Sequence, residues 1–175
     1  MKKVVLVYGL ISGAIMGLMF LIIMAVFGCD HMENGMIIGY TTMILAMTLV
    51  FFGTRSYRDN INGGTITFGR AFGVGIMISM VASVIYVIAW MIMQHFMFPD
   101  FYQQYASMAI ETAKTSGASA TELANMQTEM NSMIEMVKNP VFVFLFTLLE
   151  PLPVAVLVPL ISALILSRKK LAAAQ

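Results

Sequence analysis

From Val4 to Phe27 the chain runs 24 residues without a charged side chain, directly after Lys2 and Lys3. As a helix this run measures about 36 Å, enough to cross a hydrocarbon layer of about 30 Å with some tilt. Composition points the same way. Only 11% of the 175 residues are charged, 59% are hydrophobic and the mean hydropathy is +0.86, whereas soluble domains carry about 25% charged residues. A soluble fold of this size could not clothe its surface with so little charge, so a polytopic membrane protein is expected.

A signal peptide is the rival reading of the first run, because a basic start precedes it and Val26-Phe27-Gly28-Cys29 resembles a poor lipoprotein cleavage box. Signal-peptide cores usually extend only about 7–15 residues, and Phe27 is large where that box wants a small side chain. A retained span is expected. Three further apolar stretches follow, at residues 35–54, 71–98 and 140–167. Cys29–Asn34 is a polar turn too short for anything but an antiparallel return. Arg55–Arg70 reads as a polar loop with Asn60, Asn62, Gly63 and Gly64 as turn residues, and Thr67 as the N-cap of the next helix. Pro99 closes the third span, and Pro151, Pro153 and Pro159 break the fourth.

Residues 100–139 are too many for a structureless loop. Phe101–Thr115 reads as one helix, and Ser119-Ala120-Thr121-Glu122 is a capping-box pattern that opens a second. On that second helix Leu123, Met126, Met130, Met133 and Val137 recur at helical spacing. The expected fold is all-α and membrane-integral, a single domain over residues 1–175. It has four transmembrane helices plus an extracytoplasmic amphipathic helical hairpin between spans three and four.

Two stripes of small residues suggest how the spans meet. Gly9, Gly13 and Gly17 repeat every four residues in the first span, and Ala71, Gly75, Ser79 and Ser83 do so in the third. Small residues at this spacing let helix backbones approach closely where lipid provides no hydrophobic drive. The two stripes are expected to face each other; the alternative is that one of them makes a homodimer.

Glu150 is the residue that most invites chemistry. It lies about ten residues, roughly 15 Å, inside the fourth span, with no basic residue at comparable depth. Pro151 and Pro153 follow it, so the carbonyls of Thr147 and Leu149 lose their usual helical partners. An acid in such a place is a functional-site hypothesis by default, as a proton or ion site built from Glu150, Thr147, Ser83 and Tyr86. The plainer reading has a neutral Glu150 hydrogen-bonding Ser83 or Tyr86 to brace the kink. Arg55, Arg58 and Arg70 serve as topology anchors, or as contacts for an anionic lipid headgroup.

Cys29, Asp30, His31, Glu33 and His95, with eighteen methionines, raise the question of copper, since thiolate and thioether ligands suit Cu(I). The CDHME run matches no established ligand spacing, and methionine at helical spacing is ordinary apolar filler. No metal and no cofactor is expected. Signatures of hydrolases, P-loop proteins and dinucleotide enzymes are missing from the sequence, so a non-enzymatic protein is expected. Nothing in it suggests nucleic-acid binding. The lipid bilayer is the expected partner, with a homo-oligomer or a second membrane protein as further possibilities. A small transporter or proton-coupled carrier centred on Glu150 is the alternative function.

Tyr57-Arg58-Asp59, Gly63-Gly64 and Ile66-Thr67-Phe68-Gly69-Arg70-Ala71-Phe72 with Gly75 carry a family resemblance. At these residues the chain resembles a bacterial family of small four-span membrane proteins, domain of unknown function 4199. The resemblance implies a bacterial inner-membrane protein and adds no catalytic residue.

Orientation follows from the lysines and arginines. Lys2, Lys3, Arg55, Arg58, Arg70, Arg168, Lys169 and Lys170 fall on one side of the expected spans, and only Lys114 and Lys138 on the other. The eight-to-two bias puts both termini in the cytoplasm and the hairpin outside, with Trp90, Tyr102 and Tyr40 in an outer aromatic belt. Reporter fusions at either terminus should therefore read as cytoplasmic and a fusion at Gly117 as external; a terminal reporter active only outside would overturn this topology.

Overall fold

The computed structural model describes residues 1–27 and 32–167. Among them the chain forms seven α-helices and no strand: α1 (Lys2–Phe27), α2 (Met32–Asn60), α3 (Phe68–Phe96), α4 (Phe101–Thr115), α5 (Ala120–Met136), α6 (Pro140–Leu149) and α7 (Leu152–Leu166). Three of them contain segments long and apolar enough to cross a membrane, Lys2–Met24, Ile37–Asn60 and Phe68–Phe96. Large apolar side chains such as Leu18, Leu45 and Ile92 are more than half exposed on their outer faces. That is the surface of a bundle solvated by lipid rather than water.

α3 lies at the centre of the bundle, in contact with α1, α2, α6 and α7. Its contact with α1 is made by glycine. A Cβ on Gly13 would sit 2.6 Å from the Ala82 carbonyl oxygen, one on Gly9 2.6 Å from the Val81 Cβ, and one on Gly17 2.9 Å from the Ala89 Cβ. The expected partner stripe is thus corrected. The α1 glycines face the Ile78–Ala89 side of α3, not the row Ala71, Gly75, Ser79 and Ser83. Gly75 instead admits Pro159 of α7, whose Cβ would lie 2.8 Å from an added methyl. The reason is geometric: Val81, Ile85 and Ala89, four residues apart on α3, are received by the glycines of α1, whereas Gly75 lies on a neighbouring face that meets α7. α1 is also held to α2, where the buried Ser12 hydroxyl donates to the Ala46 carbonyl at 2.8 Å.

Several expected boundaries move. α2 continues as helix through Arg55 to Asn60, so the polar loop contracts to residues 61–67. Thr67 is the N-cap of α3 by position and extended backbone, but its side chain makes no capping hydrogen bond. The turn requires its double glycine, since Gly63 and Gly64 both adopt positive φ, 69° and 82°. The proline-rich stretch breaks only once, between α6 and α7. Pro153 falls in the first turn of α7, where its missing N–H has no helical acceptor to serve. Pro159 lies inside α7 without ending it and is fully buried against Gly75.

α4 and α5 form the hairpin. The Ser119 N–H donates to the Glu122 carboxylate at 2.8 Å and the Glu122 N–H donates back to the Ser119 hydroxyl at 3.3 Å, completing the capping box. Trp90 and Tyr102 are not in a lipid-facing belt. Both are buried, and Trp90 packs edge-on between Phe20 of α1 (5.0 Å between centroids) and Phe101 of α4 (4.9 Å). Burying large aromatic area among three helices here outweighs the preference of indole for the interface. Tyr40 does lie on the surface, 37% exposed. α5 then meets α6 at a bend of 115°.

Gly13→Ala should destabilise the protein in detergent by about 1–3 kcal/mol, because the atom its methyl meets belongs to the α3 backbone. Gly73→Ala, with open space around its Cβ, should leave the thermal midpoint unchanged or slightly raised. The Ser119 N–H, and secondarily its hydroxyl, holds the Glu122 carboxyl below its usual range. Its contribution to α5 is therefore fully present above the ordinary carboxylate range and is lost as pH falls through the lowered value. Hydrogen exchange in the first turn of α5 should accelerate on acidification and stay pH-insensitive in Glu122→Gln, once corrected for intrinsic rates.

Candidate functional site

The break between α6 and α7 is built by sequence. Pro151 brings no N–H for the Thr147 carbonyl, and the Glu150 N–H bonds that carbonyl instead, at 3.2 Å. The tightened turn leaves Glu150 as the C-cap of α6. One oxygen of its carboxyl, Oε2, accepts a hydrogen bond from the Tyr86 hydroxyl of α3 at 3.0 Å. Tyr86 is 3% exposed, and the flank of Glu150 lies open on the outside of the bundle.

Of the residues grouped with Glu150 from sequence, Tyr86 makes the contact. Ser83, one turn back along α3, is buried and its hydroxyl has no hydrogen-bond partner. Thr147 is buried one turn before Glu150 and contributes its main-chain carbonyl. Ser79 resembles Ser83, fully buried with an unpartnered hydroxyl. Two further residues become visible only in the fold. Thr54 of α2 is another fully buried, unpartnered hydroxyl. Gly53 beside it lets α2 close on α1 and α3, since an added Cβ would stand 2.8 Å from both Tyr8 Cγ and Ile78 Cδ1. The pair Gly53-Thr54, small and adjacent at the end of an apolar run, was the available signal.

The arginines gather at the opposite end of α3. Arg58 and Arg55 share one carboxylate, Asp59, with Nε–Oδ distances of 2.6 and 3.5 Å. Arg70 donates to the side-chain carbonyl of Asn62 at 2.9 Å, and Asn62 donates to the Thr65 carbonyl at 2.5 Å. The Gly64 N–H closes the turn on the Arg58 carbonyl at 2.9 Å. The arginines, Asn62 and the double glycine thus form one hydrogen-bonded turn. Residues 7–168, most of the chain, fit the family described as "Protein of unknown function (DUF4199)". The chain belongs to the DUF4199 family. No curated protein and no solved structure matches it.

His95 of this DUF4199 member lies with Gln94 and Lys138 in a groove of about 440 Å³ between the end of α3 and the start of α6. Cys29, Asp30 and His31 lie outside the described residues. Among the described residues no three His, Cys, Asp or Glu side chains come together as metal ligands do.

Proposed function

We propose that this DUF4199 member is a non-enzymatic, four-span protein of the bacterial inner membrane, seated by anionic lipid headgroups at its Arg55–Arg70 turn. α6 and α7 together form the fourth span, both termini are cytoplasmic and the α4–α5 hairpin stands outside. The observation that carries the lipid reading is the charge imbalance of the turn. Three guanidiniums meet one carboxylate, since Arg55 and Arg58 share Asp59 and Arg70 faces the neutral Asn62. Phe52, Ile61 and Phe68 beside them are 50%, 50% and 40% exposed, an apolar rim suited to acyl chains beneath the headgroups. Each basic residue near an anionic leaflet contributes about 1 kcal/mol. α5 has no buried residue, so its outer face remains for a membrane-protein partner.

A second reading rests on the Tyr86–Glu150 hydrogen bond: a small proton-coupled carrier centred on that pair. Four spans rarely enclose a pathway alone, so this reading requires an oligomer.

Lipid co-purified with the wild type and with Arg55→Gln/Arg58→Gln distinguishes capture from simple anchoring. The ratio of anionic to zwitterionic lipid, read by mass spectrometry, should fall several-fold in the variant while the fold holds. An unchanged ratio would leave the arginines as topology anchors alone.

A further inference from the structure

Among the described residues, the buried side-chain oxygens without a hydrogen-bond partner are three hydroxyls, on Thr54, Ser79 and Ser83. Buried hydroxyls in proteins are nearly always partnered, so three together call for an explanation. They are not scattered. Ser79, Ser83 and Tyr86 follow one another at spacings of four and three on α3, which puts them on one face. Gly53 packs against the Ile78 side chain, so its neighbour Thr54 enters the bundle beside this part of α3. The row therefore starts near the arginine turn and ends, about 10 Å further along α3, at the phenol that holds Glu150. Every member is at least nine-tenths buried, with relative exposures of 0% for Thr54 and Ser79 and 3% for Ser83 and Tyr86.

Glu150 terminates the row, on the outer flank of the bundle. Its flank opens onto a surface made of Leu145, Phe146, Leu149 and Leu152, which are 40–61% exposed. No ion pair among the described residues involves it. Of the elements packed against the break, α6 and α7 bring no titratable side chain. α3 brings Tyr86, with His95 about two and a half turns further on, and α2 brings Tyr40 within electrostatic range of the phenol. A carboxylate would have one donor and no cation. A carboxylic acid can accept from Tyr86 on one oxygen and donate its own proton from the other, and Pro153 supplies no N–H to the Leu149 carbonyl on the same turn.

We propose that Glu150 is a proton-binding site served from the Arg55–Arg70 end of the bundle by a hydrated row of hydroxyls, Thr54, Ser79 and Ser83, leading to Tyr86. The ligand is the proton rather than a metal cation. The binding step is the transfer of one proton from water to the carboxylate, and release is its reverse, so nothing else is consumed. The proposal deepens the carrier reading above and rests on it for purpose, although the site itself can be tested without any transport.

Infrared difference spectroscopy of the reconstituted full-length protein, in light and heavy water, reads both parts. At neutral pH a protonated-carboxyl stretch should be present, vanish in Glu150→Gln and move to higher frequency in Tyr86→Phe, which loses the donor. Sodium should leave it unchanged. Its deuterium exchange should slow roughly two- to ten-fold in Ser79→Ala and in Ser83→Ala, the range expected for one lost hydrogen-bonded link. Each serine variant removes only a hydroxyl that bonds no protein group and should fold. The absence of a protonated-carboxyl band removed by Glu150→Gln, or its loss on adding sodium, overturns the proton site; exchange unaltered in both serine variants overturns the hydroxyl row. A protein with both signatures that moves no protons in proteoliposomes keeps this site and loses the carrier reading.

Discussion

The bundle depends on how closely α1 can approach α3. At Gly13 the opposing atom is a main-chain carbonyl, that of Ala82, so neither side has a flexible end that could yield. In lipid the gain from such contact is dispersion between close surfaces and not the release of water. It therefore falls away with small increases in separation. α3 answers a second close contact from α7 through Gly75, and a third from α2 near Gly53. Glycines of α1, of α2 and of α3 itself thus each permit one of these approaches, and the fold is in essence α3 with its neighbours set around it.

Much of this was legible in the sequence, and for physical reasons. Apolar run length set the long helices, the capping box at Ser119 set α5, and the double glycine marked the turn. Packing partners were less accessible. A stripe at four-residue spacing says that a face is small but not which neighbour it meets: the Ala71–Ser83 row matches the α1 glycines in depth, yet its Gly75 receives Pro159 of α7. Trp90 shows the same limit. Its position near a helix end fits an interfacial belt, yet Phe20 and Phe101 come from distant parts of the chain to enclose it.

The Glu150 site divides along similar lines. That the acid lies within an apolar stretch followed by two prolines is a local fact, readable directly. That Tyr86 and not Ser83 reaches it depends on the rotation of α3 against α6, and a phenol spans the gap where a short hydroxyl does not. Nor did the sequence reveal that Thr54 is buried in the row, because α2 approaches this part of α3 through the neighbouring Gly53. Pro159 differs from the other prolines in the opposite way. Its ring is used as packing material against Gly75, and the helix tolerates the missing N–H inside the bundle.

The hairpin is attached to the rest at two unlike points. At one end Phe101 stacks edge-on against Trp90, which is itself packed against Phe20, so α4 is fastened sideways to α1 and α3 together. At the other end only Val137–Asn139 separate α5 from α6, across the 115° bend. α6 is then a rigid rod of ten residues with that elbow at one end and Glu150 at the other. Detaching the hairpin from the bundle would therefore mean breaking two unlike attachments, an aromatic contact at Trp90 and a covalent three-residue linker that leads through α6 to the Glu150 break.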